Sequence, residues 1–254
     1  MPANLALSEV FTPPSDANAT LWRYMDFAKY VAMLDRRALF FARADLLGDP
    51  FEGSVTELDV KVRSERAKAR LESLLAFNVD LPDAALMNSQ FNRSVREWTY
   101  INCWHRNAGE SAAMWKLYAQ SNQAVAITTT YNKLVEVLPQ QAYVGAVRYV
   151  DYKSTTVDTL NVLGLFMHKR LSFEHEQEIR AVMPIWTSGS AVNLFTPNPH
   201  QGISVPVDLG GLIEKIYAAP EAPEWFRDLV SQVSVKYGLA RAVVTSSLDD
   251  RPLY

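Results

Sequence analysis

Cysteine occurs once, at Cys103, so the chain cannot close an internal disulfide, and a lone thiol suits a reducing compartment such as the cytoplasm. No apolar run approaches the roughly 18 residues of a membrane-spanning helix, which argues against a membrane protein. The opening residues Met1, Pro2, Ala3 and Asn4 have neither the basic patch nor the apolar core of a signal peptide. Neither sign of charge dominates. With 25 Lys and Arg against 28 Asp and Glu, the net charge of -3 exerts no global pull on nucleic acid or an anionic membrane. The four histidines, His105, His168, His175 and His200, show no tight ligand spacing, which argues against zinc. The ten glycines spell neither G-x-G-x-x-G nor G-x-x-x-x-G-K-[ST], so the Gly-rich phosphate loops of doubly wound folds are missing. What is present is a chain of 254 residues, 48% hydrophobic and 21% charged, long enough to bury a substantial core as one domain, 1–254. No internal repeat interrupts it.

The order of elements is legible from periodicity and caps. Thr20 to Met25 has strand character, and Asp26 caps a helix with Phe27, Tyr30, Val31 and Leu34 at i, i+3, i+4 and i+7. A short strand at 38–42 leads into the Gly/Pro loop Asp49-Pro50-Phe51-Glu52-Gly53. Residues 57–98 read as a polar helical hairpin inserted into the fold, with a break at Val79 to Asp83 and a basic face best read as solvated. Residues 98–105 form a β-branched and aromatic central strand, and Ser111 caps a helix over 112–119. A strand at 123–129, a Thr130-capped helix to Leu138, a strand at 142–149 and a helix from 156 to 170 follow. Late strands are expected at 203–207, 212–217 and 241–247. A final helix from Pro223 to Gly238 should bury Trp225, Phe226, Leu229, Val230 and Val233. Irregular alternation with hairpin-like pairs predicts an α+β fold with a split, largely antiparallel sheet flanked by helices.

The densest chemistry lies in Phe173-Glu174-His175-Glu176-Gln177-Glu178-Ile179-Arg180. If a strand runs through it, the two-residue period places Glu174, Glu176, Glu178 and Arg180 on one face. Three carboxylates on a shared, partly buried face repel one another unless water or a cation lies among them. One reading is an ion-pair ladder of Glu176, Glu178 and Arg180 with Lys169 and Arg170; the other is a site. Cys103 and His105, two apart on one strand, suit structure better than a nucleophile and base. Trp115 reads as core, Asp49 as a turn residue and Ser111 as a cap.

Several stretches resemble a widespread, functionally uncharacterised family of bacterial and phage proteins, part of which is linked to abortive infection. They are Trp22-Arg23-Tyr24, Asp49 to Gly53, Cys103-Trp104-His105, Glu110 to Tyr118, Ala124 to Thr129, Lys169-Arg170 and Phe173 to Arg180. The order of an arginine on the first strand (Arg23), a hydroxyl cluster on a middle strand (Thr128, Thr129, Thr130) and Glu-x-Glu (Glu176, Glu178) also resembles, more remotely, the R-S-E arrangement of ADP-ribosyltransferases. That resemblance implies a split-sheet cleft taking NAD as substrate. Glu178 would stabilise the oxocarbenium-like centre and Glu176 would position or activate the acceptor. Arg23, Tyr24, Thr128, Thr129, Trp115 and Tyr118 would bind NAD, with Asp49, Glu52, Lys116 and Arg180 as further cleft candidates. The implied partners are a protein or nucleic-acid target, a phage component or an antitoxin. Two other classes stay open. A magnesium-dependent nuclease or hydrolase would use Asp49, Glu52, Glu176 and Glu178 as oxygen ligands. A non-enzymatic phage-sensing or partner-binding module would use the helical insertion and the loop 193–201.

Overall fold

The structure is a computed structural model that describes residues 9–62, 64–66, 84–119, 121–157, 161–186 and 193–253, with backbone only for 84–89. The strands are β1 (Thr20–Asp26), β2 (Ala38–Arg43), β3 (Thr99–Arg106), β4 (Ala124–Thr130), β5 (Tyr143–Ala146), β6 (Arg148–Val150), β7 (His168–Arg170), β8 (Glu178–Pro184), β9 (Gly202–Pro206), β10 (Lys215–Ala218) and β11 (Val243–Val244). The helices are α1 (Phe27–Arg36), α2 (Ala84–Glu97), α3 (Ala112–Tyr118), α4 (Tyr131–Val137), the single turn α5 (Leu209–Leu212) and α6 (Glu224–Lys236). Nine strands form one mostly antiparallel sheet, and β6 and β7 pair in parallel beside it. The fold is therefore the α+β class that the element pattern predicts.

The sheet divides at β3. One edge of β3 pairs with β8 from Thr99↔Pro184 to His105↔Glu178. The other edge is shared: β2 pairs only at Ile101 and Tyr100, and β1 only at Arg106 and His105. Between those contacts β1 and β2 leave β3 in different company, β1 toward β4, β10 and β11, and β2 toward β9. Side chains bridge the gap where ladder bonds stop. Arg23 and Asn102 both donate to the carbonyl of Phe40, at 3.1 and 2.8 Å.

Local chemistry explains the flanking helices. Asp26 accepts from the Lys29 amide, Ser111 from the Met114 amide and Thr130 from the Lys133 amide, so each helix begins at a side chain that satisfies a free N–H. Behind the sheet, Tyr30, Leu34, Leu134, Leu212, Phe226 and Val230 join Leu21, Trp104, Ile127 and Ile179 in the main core. At the root of the insertion, Thr56 and Asp59 cap each other's amides, and residues 57–62 are helical. The expected break at 79–83 lies outside the described residues.

Four local expectations are overturned. The segment expected as a helix to Arg170 is a 3-10 helix, Val162–Met167, followed by β7. Its apolar run Leu163 to Met167 is buried throughout, and a strand can use the next residues to pair with β6. The acidic strand starts only at Glu178, because Leu171–Glu176 is a 3-10 helix and Gln177 turns left-handed at φ 41°. The stretch 212–217 is strand only from Lys215, since Asp208 accepts from Gly210 N–H and caps α5. Trp225 is 56% exposed, one position off the buried Phe226 face of α6.

Candidate active site

A cavity of about 750 Å³ opens where β1 and β2 part. Antiparallel partners share a face, so Trp22, His105 and Glu178 point to the same side of the sheet, whereas Arg23 and Trp104 point to the other. Residues from both faces line the cavity, because the split lets it pass through the sheet.

At one end lies a buried charge network. The Arg180 guanidinium, with no exposure, donates bidentately to Glu52 at 2.7 and 2.6 Å, to Glu178 at 2.6 Å and to the Phe166 carbonyl at 2.8 Å. Lys169 donates to Glu176 and lies 3.5 Å from Glu178 and 3.6 Å from Glu52. Three carboxylates thus meet two cations, which leaves one surplus negative charge if every acid ionises. The pair absorbs it by titrating apart. Burial and the neighbouring Glu178 charge push Glu176 up to about 7, against the opposing pull of Lys169. Burial alone would raise Glu178 as well, but Arg180 and Lys169 outweigh it and hold that carboxylate well below the usual range.

Backbone geometry places Glu176. It ends the 3-10 helix, and the left-handed Gln177 then turns the chain into β8. The carbonyl of Glu176 meets His105 Nδ1 at 2.6 Å. Since a carbonyl only accepts, Nδ1 carries the proton. The other ring nitrogen, Nε2, has no partner among the described residues, and burial lowers the pKa of the ring. His105 is therefore a neutral imidazole. Cys103, its neighbour on the same face, is driven up by burial and is a thiol rather than a nucleophile.

Toward the other end sits Arg23. It stacks 5.9 Å from the Trp104 ring and has no carboxylate within ion-pair distance among the described residues. Burial lowers its pKa to about 10, so it remains charged near neutrality. Arg36, held to Ser204 at 3.2 Å, lines the same cavity with Lys29. Aromatic and apolar walls come from Tyr24, Phe40, Trp104, Tyr118 and Phe173.

Of the residues the sequence suggests, Glu176, Glu178, Arg23, Tyr24, Tyr118, Asp49 and Glu52 line the cavity. Asp49 is committed to Arg170, at 2.8 Å, so Arg170 stands outside the Lys169 network. The others lie elsewhere. Thr128 and Thr129 are buried in β4, which β1 separates from the split. Trp115 is core, edge-on to Tyr24 at 4.9 Å with its indole donating to Glu110. Lys116 is on the exposed face of α3, and Arg180 is wholly buried behind Glu178. Glu178 and Arg23 point to opposite faces of the sheet, and Glu176 enters from the 3-10 helix ahead of β8 rather than from the strand itself. Trp104, His105 and Phe173 stand in the sequence only as parts of matching stretches, with His105 read as structural, and none of the three is given a place in the site. The only available signal was the alternation along 101–105, which puts His105 and Cys103 on one face without saying what that face meets.

Among the described residues no group of three or more His, Cys, Asp and Glu side chains is arranged to hold a metal ion. The carboxylates that a magnesium site would need already serve Arg180, Lys169 and Arg170. No described helix is long and apolar enough to cross a membrane. No family model, curated protein or solved structure matches the chain.

Proposed function

We propose that the cavity binds NAD and that the Glu176/Glu178 pair promotes cleavage of its nicotinamide-ribose bond in an ADP-ribosyltransferase-like reaction. One observation carries the reading: the buried Glu176/Glu178 carboxyl pair, held by Lys169 and Arg180, shares a cavity with Arg23, a guanidinium that has no ion-pair partner among the described residues. Glu178, anionic throughout the physiological range, stabilises positive charge that develops at the ribosyl carbon. Glu176, poised near neutrality, takes the proton of the attacking acceptor. Arg23 meets a phosphate through charge-assisted hydrogen bonds, and the aromatic walls accommodate planar rings. A volume of about 750 Å³ lies within the range of roughly 300 to 1,000 Å³ common for small-molecule sites.

The test is nicotinamide release from NAD by wild type and by Glu176→Gln. The variant should keep its melting temperature within a few degrees and lose at least about 100-fold in rate, the lower bound for removing a general base. Wild-type activity should rise with pH through about 7 as Glu176 loses its proton, and then level off. Equal rates for the two proteins, or none for wild type, would refute the assignment.

A further inference from the structure

A guanidinium that has lost much of its water and gained no counter-ion is costly to keep. Half-buried Arg23 is in that position. The described residues accept from it once, at the Phe40 carbonyl, 3.1 Å from Nη2, and none of them offers it a carboxylate. Arg36 shares the condition. Its Nη1 donates to Ser204 Oγ at 3.2 Å, and it too has no ion pair among the described residues. The two anchors are neighbours, because Phe40 and Ser204 face each other in the ladder of β2 and β9. Such partners have Cα atoms about 4.5 to 5.5 Å apart. Arg23, Arg36, Phe40 and Ser204 all line the cavity, so two uncompensated guanidinium groups are tethered to one rung of the sheet at its wall. Helix α1 leaves that rung within reach of solvent. Lys29, Ala32, Met33 and Arg36 recur at i, i+3, i+4 and i+7, which turns one helical face along the cavity. Of these, Ala32 and Arg36 are exposed, as are Phe40 and Ser204, while Lys29 is taken by Asp26 at 2.9 Å.

We infer that Arg23 and Arg36, with Ser204, form a subsite for two linked phosphates, the group that a nucleoside diphosphate carries. A carboxylate or a lone phosphate would neutralise one guanidinium and leave the other bare, whereas a diphosphate offers each its own tetrahedral group. Arg23 holds one phosphate by charge-assisted hydrogen bonds from the N–H groups that Phe40 does not use. Arg36 holds the second. Ser204 accepts from Arg36, which leaves its own hydroxyl proton to donate to the same phosphate. The inference rests on the NAD reading above for the name of the ligand, since NAD joins its two nucleosides through a diphosphate, and it adds Arg36 and Ser204 to the residues that recognise it.

Calorimetric titration of the full chain with ADP and with AMP, in magnesium-free buffer at one ionic strength, isolates the second phosphate. Wild type should bind ADP about 10- to 100-fold more tightly than AMP, as expected for one added hydrogen bond to a charged group. Arg36→Gln should erase most of that preference by weakening ADP, and leave AMP nearly unchanged. Ser204→Ala should erode it in the same direction. Arg37→Gln removes the same charge from the next residue, which is exposed and outside the cavity lining, and should keep the preference. Equal affinities for ADP and AMP, no binding of either, or equal losses in Arg36→Gln and Arg37→Gln would overturn the inference. Its fate and that of the NAD reading separate cleanly. An ADP preference in a protein that releases no nicotinamide from NAD would keep the diphosphate subsite and remove the transferase, and nicotinamide release without an ADP preference would do the reverse.

Discussion

At position 180 a guanidinium without solvent contact serves two carboxylates and a carbonyl, and each partner depends on it for desolvated charge. Arg180→Met removes the cation but leaves Glu52 and Glu178 buried. Stripping one partner from a buried pair costs about 3 to 5 kcal/mol, which urea denaturation should register. The double variant Arg180→Met with Glu52→Gln should recover part of that loss, because one orphaned charge is gone. If the single variant is as stable as wild type, the network is not the anchor described. The spacing of Glu178 and Arg180 was visible along the chain as a shared strand face. Glu52, 128 positions away from Arg180, was visible as a cleft candidate on a loop but not as the partner of Arg180, since nothing local to it signals which cation it will meet.

Among the elements, β3 and β8 set the site because β3 lends one edge to two strands that then diverge. The central position of β3 follows from its aromatic and β-branched residues, but the split depends on α1 carrying the chain from β1 to β2. Beside β8, β5 is covered by the N-terminal segment: Ala146 N–H donates to the Thr12 carbonyl at 2.8 Å, and Phe11 stacks on Tyr143 at 5.2 Å. A Cβ at Gly145 would stand 2.7 Å from Phe11 Cα, which is backbone and cannot swing aside. Gly145→Ala should therefore lose about 1 to 3 kcal/mol, the usual range for overpacking. Faster proteolysis ahead of residue 20 should accompany the loss, and an unchanged protein would mean that the segment is not docked there. The acidic stretch shows the opposite limit of local reading. Its alternation suggested a strand from Glu174, yet the left-handed Gln177 delays β8 to Glu178 and brings Glu176 in from a 3-10 helix. The two carboxylates still converge, because Lys169 on β7 draws both.

For the whole molecule, the same network shapes stability against pH. Glu176 binds its proton more tightly folded, at about 7, than at its ordinary value of 4.5. Between those values the folded state holds a proton that the unfolded chain has released, so stability falls as pH rises. Glu178 has the opposite sign: its lowered folded value contributes stability above about 4.5 that is lost as pH falls further. Buried His105 and His168, whose folded values are lowered, contribute the opposite slope in the same window, so the Glu176 effect is read as a difference: the urea midpoint of wild type relative to Glu176→Gln should decline from pH 5 to 7. Parallel slopes would show that Glu176 is not the titrating group.

Caps at Asp26, Ser111 and Thr130, the burial of Phe226 and Val230, and the α+β class with its antiparallel sheet were determined by sequence alone. Each depends on spacings of a few residues, where periodicity and free helix N–H groups act directly. Tertiary structure decided which motif residues share a cavity. It set Thr128, Thr129 and Trp115 outside and brought His105 to the Glu176 backbone. It also decided the charge of the carboxyl pair. Proton affinity follows from burial and from cations contributed by other strands, and those distances exist only once β3, β7 and β8 have packed.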